Sequence, residues 1–409
     1  STDRNISPCT EPSFGLSSGL SRLSASAQQR FCAIKMWNCL ERARTPLLSE
    51  GSNGKDSRRR IAGRLVEVLN DHCFKELRDK HKVPEDFLES GKKQALNLDV
   101  PRLESTHGKG GHGQFESGCR RYVVKSLSKD DHKSLLRLAR PLVDRMLEGP
   151  TLLCPVYMHF KDVKSGRYFM AMRNLTEVGP WAAKYDLKGC DDDKTIEVNG
   201  KTIRPVRKRF YSPHMWCTCM WSPERWLYYQ GKVQARQLKM PLADSQREEL
   251  VQMIKADAEW LISHEIMDYS LLVAVRRLPK DVAKSCGESA TALDAAKPEH
   301  GLRRWAMLDK KTDELVVLHM GIIDFLQPWT TAKVAAMYIK SLEQNKATVP
   351  PLHYGKRFIK HFEERLFKDN DLTAQSDSVA RAAERWCLEH EASSGENGDA
   401  DAGQWCNRC

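Results

Sequence analysis

Apolar positions along this chain follow two periods, which predict strands in some segments and helices in others. Tyr122–Leu127 is short and rich in β-branched residues, which predicts a strand. Ser245 and Glu248 match a capping box, and apolar residues follow them at helical spacing, so an amphipathic helix of about twenty residues is expected. Val316–Phe325 is almost continuously apolar and predicts a strand buried on both faces.

Two more segments predict helices near the ends of the folded region. Ile61–Leu69 carries apolar residues at helical spacing, so a compact domain should begin close to it. Gly355–Phe367 places several apolar residues on one face of a helix, which should close the domain. Those residues are Phe358, Ile359, Phe362 and Leu366.

Polar segments bound this domain and interrupt it once. Residues 1–58 are Ser-rich and lack the apolar stretch of a secretory signal, which predicts a disordered polar leader. Residues 372–409 are rich in Ala, Glu, Ser, Asp and Gly and predict a mobile tail. Residues 281–301 contain few large apolar side chains and predict a solvent-exposed insert. The folded domain is therefore expected over residues 60–371.

The net charge of +11 favours an anionic partner, either nucleic acid or the anionic leaflet of a membrane. The chain contains no zinc-finger spacing, RNA-binding aromatic motif or basic zipper, so the membrane is favoured and no nucleic acid partner is expected. No stretch approaches the roughly 20 apolar residues of a membrane span, so the contact should be peripheral. The 13 cysteines follow no regular framework, which favours a reducing compartment. The expected location is the cytoplasm, with the nucleus left open.

Two acids stand in otherwise apolar runs, Asp268 in MDYSLL and Asp324 in GIID. Burial of a carboxylate is unfavourable unless it is paired or binds a metal, and Mg²⁺ is a suitable metal. Upstream, Lys125 lies on a predicted strand and Lys188 in the run KYDLKG. A strand lysine, an acid for the acceptor hydroxyl and an acid for Mg²⁺, in this order, are the parts of a phosphoryl-transfer site.

A glycine-rich segment precedes the strand that carries Lys125. Its glycines would let backbone N–H groups approach phosphate oxygens closely. A flexible surface loop is the alternative, but the lysine strand downstream favours the phosphate-binding interpretation. The glycines are Gly108, Gly110, Gly111 and Gly113.

These motifs together resemble one known family. Lys184–Gly189, Ile266–Val273 (IMDYSLLV) and Gly321–Gln327 (GIIDFLQ) are similar to motifs of the phosphatidylinositol phosphate kinases, which make phosphatidylinositol bisphosphates. The resemblance extends from about Phe74 to about Phe367.

The resemblance implies a mixed α+β, two-lobed kinase-like fold, with an antiparallel sheet and flanking helices in each lobe. The N-lobe would span about 60–175 and the C-lobe about 176–371. It also implies a lipid kinase that transfers the γ-phosphate of ATP to the inositol ring of a phosphatidylinositol monophosphate, with ATP and Mg²⁺ as cofactors.

The resemblance also assigns roles to the residues that match its motifs. Lys125 and Lys188 would position the nucleotide, and Lys188 would take part in catalysis. Asp268 would orient the attacking inositol hydroxyl, and Asp324 would bind Mg²⁺. The acid that usually pairs with the strand lysine is matched only loosely, by the acidic pair at positions 130 and 131.

Departures from the family pattern keep alternatives open. Cys190 stands where the family usually has Ser, and Asp191–Lys194 replaces a pattern of hydroxyl and basic residues. A catalytically weak, membrane-binding scaffold of the same fold is therefore one alternative. A protein kinase or a kinase of soluble inositol phosphates is another.

The segment Thr331–Leu342 (TAKVAAMYIKSL) is expected to contact the membrane. It is short, apolar and cationic, which suits a helix at an interface with Lys333 and Lys340 facing outward, although an ordinary surface helix would fit as well. Ala336 occupies a position at which type I enzymes of the family carry Glu, so the resemblance favours the type II branch and phosphatidylinositol 5-phosphate as substrate. A type I-like phosphatidylinositol 4-phosphate 5-kinase is the alternative. Family members often form dimers, which leaves a homodimer open.

Overall fold

Strands in the described part of the chain form two antiparallel sheets of six strands each. The computed structural model describes residues 57–61, 63–88, 114–117, 120–177, 181–206, 221–240, 242, 244–278, 304–309, 312, 314–331, 333–334, 337 and 347–366. These residues belong to one compact unit of the chain, Gly54–Cys409. The insert at 281–301, the tail at 372–409 and the first 56 residues of the predicted leader lie outside the described residues.

The first sheet is built from the N-terminal part of the described chain. Its strand order is β1-β2-β5-β6-β4-β3, and every neighbouring pair is antiparallel. Two helices contact it, α1 (Asp71–Lys80) and α2 (Lys129–Glu148). The strands are β1 (Ser57–Ile61), β2 (Arg64–Leu69), β3 (Gln114–Glu116), β4 (Tyr122–Leu127), β5 (Val156–Asp162) and β6 (Tyr168–Arg173).

The second sheet is built from strands between residues 183 and 323, in the order β11-β12-β10-β7-β8-β9, and it is also antiparallel throughout. Its strands are β7 (Ala183–Leu187), β8 (Lys194–Val198), β9 (Lys201–Thr202), β10 (Ser270–Leu278), β11 (Arg304–Asp309) and β12 (Glu314–Ile323). The remaining helices are α3 (Pro223–Gln237), α4 (Asp244–Ser263) and α5 (Pro351–His361), which continues into a π-helical turn at Phe362–Leu366. Two antiparallel sheets with flanking helices confirm the predicted mixed α+β class.

The prediction of a helix at Ile61–Leu69 is wrong, because this segment forms the end of β1, a turn and β2. Gly63 makes the turn with a φ of 81°, a conformation that glycine adopts without steric penalty. In β2 the side chains of Val66 and Val68 are buried while Leu65 is exposed, which is the period of two of a strand. A segment of nine residues with several apolar positions fits both the helical period of 3.6 and the strand period of two. The turn at Gly63 interrupts the segment and leaves the strand as the structure formed.

The other predicted elements are present with small shifts of their ends. The strand at Tyr122–Leu127 is confirmed as β4. Helix α4 begins at Asp244, one residue before the predicted capping residue Ser245. The closing helix begins at Pro351, where proline suits the first turn because its missing N–H has no helical partner there. None of the helices within these described ranges is both long and apolar enough to cross a bilayer.

The connection between α2 and β5 is hydrogen-bonded to the end of β12. Ile322 N donates to Leu152 O at 2.6 Å, and Cys154 N donates to Ile322 O at 2.9 Å. Gly321 permits this close approach, since a Cβ at this position would lie 2.6 Å from Leu175 Cδ1 and 3.3 Å from Leu152 O. The chain next to Asp324 is therefore held by a segment that leads into the first sheet.

Candidate active site

Four side chains predicted for the site form two lysine–aspartate pairs. Lys125, on β4 of the first sheet, donates to Asp324 Oδ1, which follows β12 of the second sheet. Lys188, just after β7, donates from Nζ to Asp268 Oδ1 and to the Asp268 carbonyl oxygen, both at 2.5 Å. We call the first the cross-sheet pair and the second the same-sheet pair, because Lys188 and Asp268 both flank strands of the second sheet.

Strand register brings the two pairs to one end of the second sheet. Ser270 in β10 lies opposite Ile323 in β12, and Leu271 lies opposite Leu187 in β7. The residues next to these strand ends are Asp268, Asp324 and Lys188. The sequence motifs, far apart along the chain, therefore meet because three neighbouring strands end together.

The loops that carry the two acids are also hydrogen-bonded to each other. Met267 N donates to Gln327 O at 3.0 Å, and Trp329 N donates to Glu265 O at 3.1 Å. Each acid thus lies in a loop whose path is fixed by the other loop. Strand β12 ends before Asp324, so the acid projects from a loop and not from the predicted buried strand.

Both acids adopt the left-handed backbone conformation, with φ of 64° at Asp268 and 61° at Asp324. Non-glycine residues are uncommon there, although Asp tolerates it better than most, and such conformations concentrate at functional sites. The left-handed conformation of both acids therefore favours a functional role for the two loops.

Lys188 lies among acidic groups. Burial disfavours its charged form, but the carboxylates of Asp268 and Asp186 outweigh this and raise its pKa above the ordinary range. Asp186 is itself buried, with Lys194 Nζ at 2.5 Å from its Oδ2. Burial acts to raise the pKa of Asp186, but the charges of Lys194 and Lys188 lower it far below the usual value. Lys188 is therefore a permanent cation at neutral pH.

Asp324 has a more open environment than Lys188. Its side chain is 40% exposed and that of Lys125 is 25% exposed. Burial acts against ionisation of Asp324, but the charge and hydrogen bond of Lys125 lower its pKa below the ordinary value. Asp324 is therefore ionised at neutral pH and partly accessible.

The acids at the start of α2 do not pair with Lys125 in this structure. Asp131 Oδ2 accepts from Ser128 Oγ at 2.8 Å as part of a capping box, and its Oδ1 accepts from Gln327 Nε2 at 2.9 Å. Asp131 thus connects α2 to the loop that carries Asp324. Asp131 is thus bound by Ser128 and Gln327 and not by Lys125.

Residues 191–193, which depart from the family pattern, are bound within the chain. Asp191 forms an ion pair with Arg236 at 3.1 Å, and Asp192 Oδ2 accepts from Ala347 N at 3.2 Å. Asp193 is buried, and its Oδ1 accepts from Lys188 N at 2.5 Å. The sequence interpretation did not assign Asp193 a role. Three acids directly after a glycine turn were the signal, since Asp side chains often accept hydrogen bonds from nearby backbone N–H groups.

Asp257 is a second residue that the sequence interpretation missed. Its side chain is fully buried in α4 and accepts from Arg145 Nη2 at 2.6 Å, Thr151 Oγ1 at 2.8 Å and Leu152 N at 2.6 Å. These contacts hold the segment that pairs with Ile322, next to Asp324. The available signal was an acid beside Ala258 on the apolar face of the predicted helix.

The glycine-rich segment and most of the membrane segment lie outside the described residues. This applies to Gly108, Gly110, Gly111, Gly113, Ala336 and Lys340. Gln114, which follows the glycines, pairs with Lys125 across β3 and β4. Lys333 is described and half-buried, and its N–H donates to Thr330 Oγ1 at 3.4 Å.

No group of three or more His, Cys, Asp or Glu side chains that could hold a metal is found among the described residues. Magnesium sites in phosphoryl-transfer enzymes do not need such a group, because Mg²⁺ is held there by one or two carboxylates together with phosphate oxygens and water. The ionised, partly exposed carboxylate of Asp324 fits this kind of site.

Comparison with known proteins identifies related sequences. Residues 97–365 match the family described as phosphatidylinositol-4-phosphate 5-kinase. A phosphatidylinositol 4-phosphate 5-kinase type-1 beta from Gallus gallus is 24% identical over 334 residues, which cover 73% of this chain and 57% of that protein. A phosphatidylinositol 4-phosphate 5-kinase from Plasmodium falciparum is 20% identical over 287 residues, 64% of this chain and 16% of that protein.

A shorter similarity points to the same family. A probable phosphatidylinositol phosphate kinase from Dictyostelium discoideum is 26% identical over 175 residues, 42% of this chain and 22% of that protein. In each case the matched region is less than two thirds of the relative's length. Because the family match covers more than half of the chain and includes Lys125, Lys188, Asp268 and Asp324, the chain belongs to the phosphatidylinositol phosphate kinase family.

Proposed function

We propose that this chain is a lipid kinase that uses ATP and Mg²⁺ to phosphorylate the inositol ring of a phosphatidylinositol monophosphate, giving a bisphosphate. The observation that carries the proposal is the meeting of two lysines and two aspartates at one end of the second sheet. Phosphoryl transfer needs positioned cations and carboxylates more than a covalent catalyst, because catalysis is mainly positioning and charge stabilisation.

The lysines would bind phosphate oxygens of the nucleotide. Among the described residues, the carboxylate that pairs with Lys125 is that of Asp324, which is partly exposed, so phosphate oxygens could replace it in that contact. Lys188 would stay on Asp268 and offset negative charge near the transferred phosphoryl group. The raised pKa of Lys188 supports this role, because the residue remains charged at neutral pH.

Asp324 would hold Mg²⁺ once Lys125 has exchanged its carboxylate partner for phosphate. A hard carboxylate oxygen suits Mg²⁺, and the lowered pKa of Asp324 keeps that oxygen free of a proton. The ion would neutralise charge on the phosphates and orient them.

Asp268 would orient the acceptor. Its carboxylate would accept a hydrogen bond from an inositol hydroxyl, whose oxygen attacks the γ-phosphorus. A new oxygen–phosphorus bond forms as the bond to the bridging oxygen of ATP breaks, and the hydroxyl proton is lost toward Asp268. The contact of Asp268 with Lys188 would fix the direction of its carboxylate.

A catalytically weak scaffold of the same fold is the second candidate. Cys190 and the acidic run after it favour this candidate, because residues 191–193 are engaged within the chain and differ from the family's substrate-side pattern. The retention of both lysines and both aspartates, in contact, supports the enzyme over the scaffold.

The acceptor isomer is a separate question. Ala336 favours phosphatidylinositol 5-phosphate, as in the type II branch, whereas the relatives from Gallus gallus and Plasmodium falciparum are named as phosphatidylinositol 4-phosphate 5-kinases, which favours the 4-phosphate. We propose a phosphatidylinositol monophosphate as acceptor, and the assay below distinguishes the 4-phosphate from the 5-phosphate. The membrane itself would be contacted by the segment with Lys333, Ala336 and Lys340.

The wider setting follows from the same proposal. The chain would act at an anionic membrane from the cytoplasmic side, with no nucleic acid partner, and a homodimer is compatible with the family. The sheets would correspond to an N-lobe at about 60–175 and a C-lobe at about 176–371, with the site between them.

The test is to incubate the purified chain with Mg²⁺, labelled ATP and vesicles that contain either phosphatidylinositol 4-phosphate or phosphatidylinositol 5-phosphate. Bisphosphate from the 5-phosphate alone would support the type II assignment, and bisphosphate from the 4-phosphate alone would support a type I-like enzyme. Product from soluble head-group analogues but not from vesicles would favour a soluble inositol phosphate kinase. Vesicle binding without any product would overturn the proposal and favour the scaffold.

A further inference from the structure

A buried carboxylate is hydrogen-bonded to the turn that carries Lys188. Asp193 Oδ1 accepts from the backbone N–H of Lys188 at 2.5 Å and from that of Cys190 at 3.3 Å. The Asp193 side chain is 1% exposed. A single oxygen atom thus fixes both ends of the turn Lys188–Cys190.

Helix α5 packs against the same turn. Gly189 has a φ of 69°, and a Cβ at this position would lie 3.0 Å from His361 Cβ and 3.4 Å from Phe358 Cα. His361 Nε2 lies 3.7 Å from Asp193 Oδ2. The turn is therefore in contact with both a carboxylate and a helix, and a side chain at position 189 would require these neighbours to shift and would be strained at this φ.

We infer that Asp193 is a positioning residue, whose carboxylate holds the Lys188–Cys190 backbone so that Lys188 Nζ stays on Asp268. The inference rests on the proposed function, since it assigns Lys188 to the reacting phosphates. It also gives a role to the acidic residues that replace the family pattern after Cys190, because the carboxylate at position 193 accepts hydrogen bonds from the backbone of the turn.

Hydrogen-bond acceptance, rather than negative charge, is the property that matters in this arrangement. Burial raises the pKa of Asp193 to about 6, and the hydrogen bonds from Lys188 N and Cys190 N oppose that rise. The charged or titratable groups around it are Asp186 on β7, Lys188 and Cys190 on the turn, Lys194 on β8 and His361 on α5. An amide oxygen at position 193 could accept from the same two N–H groups, so Asp193→Asn is the conservative variant.

The experiment compares Asp193→Asn with Asp193→Ala, and uses Asp191→Ala as the matched control. Asp191 is a neighbouring acid whose side chain pairs with Arg236 at the surface. The readouts are kcat and KM for MgATP with vesicle substrate, and the affinity for a non-hydrolysable ATP analogue with Mg²⁺, measured by calorimetry on protein shown to be folded by circular dichroism.

We expect Asp193→Ala to lower kcat/KM by about 10- to 100-fold, because a displacement of the order of 1 Å at a reacting group has effects of that size. Asp193→Asn should remain within about 3-fold of wild type, and Asp191→Ala within about 2-fold. If Asp193 had a purely structural role, Asp193→Ala would reduce the fraction of folded protein but would not lower kcat/KM or nucleotide affinity in the protein that is folded. If Asp193→Ala does not fold, Asp193→Ser, whose shorter side chain cannot reach both amides, takes its place.

Two results would overturn the inference. One is wild-type kinetics and nucleotide affinity in folded Asp193→Ala or Asp193→Ser. The other is a loss in Asp193→Asn as large as in Asp193→Ala, which would mean that acceptance by an oxygen is not sufficient. If the wild-type chain phosphorylates no lipid, the proposed function fails, whereas the affinities for the ATP analogue still test the role of Asp193.

Discussion

The cross-sheet pair and the same-sheet pair contain the same two residue types but are held in different ways. Lys125 and Asp324 come from different sheets, are 25% and 40% exposed, and meet through one carboxylate oxygen. Lys188 and Asp268 are 13% and 32% exposed, and Lys188 also contacts the Asp268 backbone. The backbone of Lys188 is held in turn by Asp193.

This difference suggests a division of labour. A partly exposed ion pair contributes little to stability and is readily exchanged for another partner, which suits the binding of phosphate and Mg²⁺. The same-sheet pair has a largely buried lysine that donates two hydrogen bonds to Asp268, so it is more destabilising to break and keeps its geometry, which suits the orientation of an acceptor hydroxyl. The site would therefore combine one replaceable contact with one permanent contact.

The largest effect is expected when the same-sheet pair is broken. Lys188→Met would leave Asp268 without its cation and the buried Asp186 with Lys194 alone, so it should reduce the free energy of unfolding by about 3 kcal/mol. Turnover should fall by about 1,000-fold, since about 4 kcal/mol of transition-state stabilisation would be lost. Urea unfolding and a lipid kinase assay measure the two effects. Lys133→Met, an exposed change on α2, is the control, and equal stability of the two variants would contradict the account.

Breaking the cross-sheet pair should affect activity far more than stability. Lys125→Met removes a partly exposed ion pair, so the free energy of unfolding should change by at most about 1 kcal/mol. Turnover should fall by about 100-fold because the phosphates lose a positioned cation. The same two assays apply. A stability loss as large as that of Lys188→Met would show that the two pairs do not differ in the way described.

The contacts of Asp257 should matter mainly for the segment next to Asp324. Asp257→Ala would leave Arg145, Thr151 and Leu152 N without their shared acceptor, so unfolding should become easier by about 3 kcal/mol. Turnover in the folded variant should fall by about 10-fold through displacement of the chain around Ile322. Glu259→Ala, an exposed change two residues away in α4, is the control and should match wild type in both measurements.

The smallest effect is a pH dependence of stability that comes from Asp193. Its pKa is raised from 3.8 to about 6 in the folded state, so between these values the folded chain binds a proton that the unfolded chain does not. Stability therefore falls as the pH rises through this window and is then constant. Asp193→Asn lacks this group, so its stability relative to wild type should increase by about 2 kcal/mol from pH 4 to pH 6. Urea unfolding at several pH values measures the difference, and a difference that does not change with pH would show that folding does not raise the pKa of Asp193.

Much of this site could be predicted from sequence because its residues lie in motifs with local signals. Lys125 was placed by a β-branched run, and Asp268 and Asp324 by their contrast with apolar neighbours. Lys188 came from the resemblance to a family. The structure shows each lysine in contact with an acid, which no local pattern specified.

The parts that sequence could not supply depend on contacts between distant segments. The roles of Asp193 and Asp257 arise from backbone N–H groups brought to them by folding, and such partners leave no periodic trace in the sequence. The prediction of a helix at residues 61–69 is wrong for a different reason. A short apolar segment fits both the helical and the strand period, and the turn at Gly63 has no clear signal in that pattern. The position of Asp324 just after β12 depends on where pairing with β10 ends.

The most direct test of the account measures phosphorylation of phosphatidylinositol monophosphate vesicles by the wild type and by Asp268→Asn and Asp324→Asn. Asp86→Asn, an exposed change outside the site, is the matched control. We expect both site variants to lose at least about 100-fold in turnover while remaining folded, and the control to keep wild-type activity. Wild-type turnover in both site variants would contradict the claim that these two carboxylates carry the chemistry.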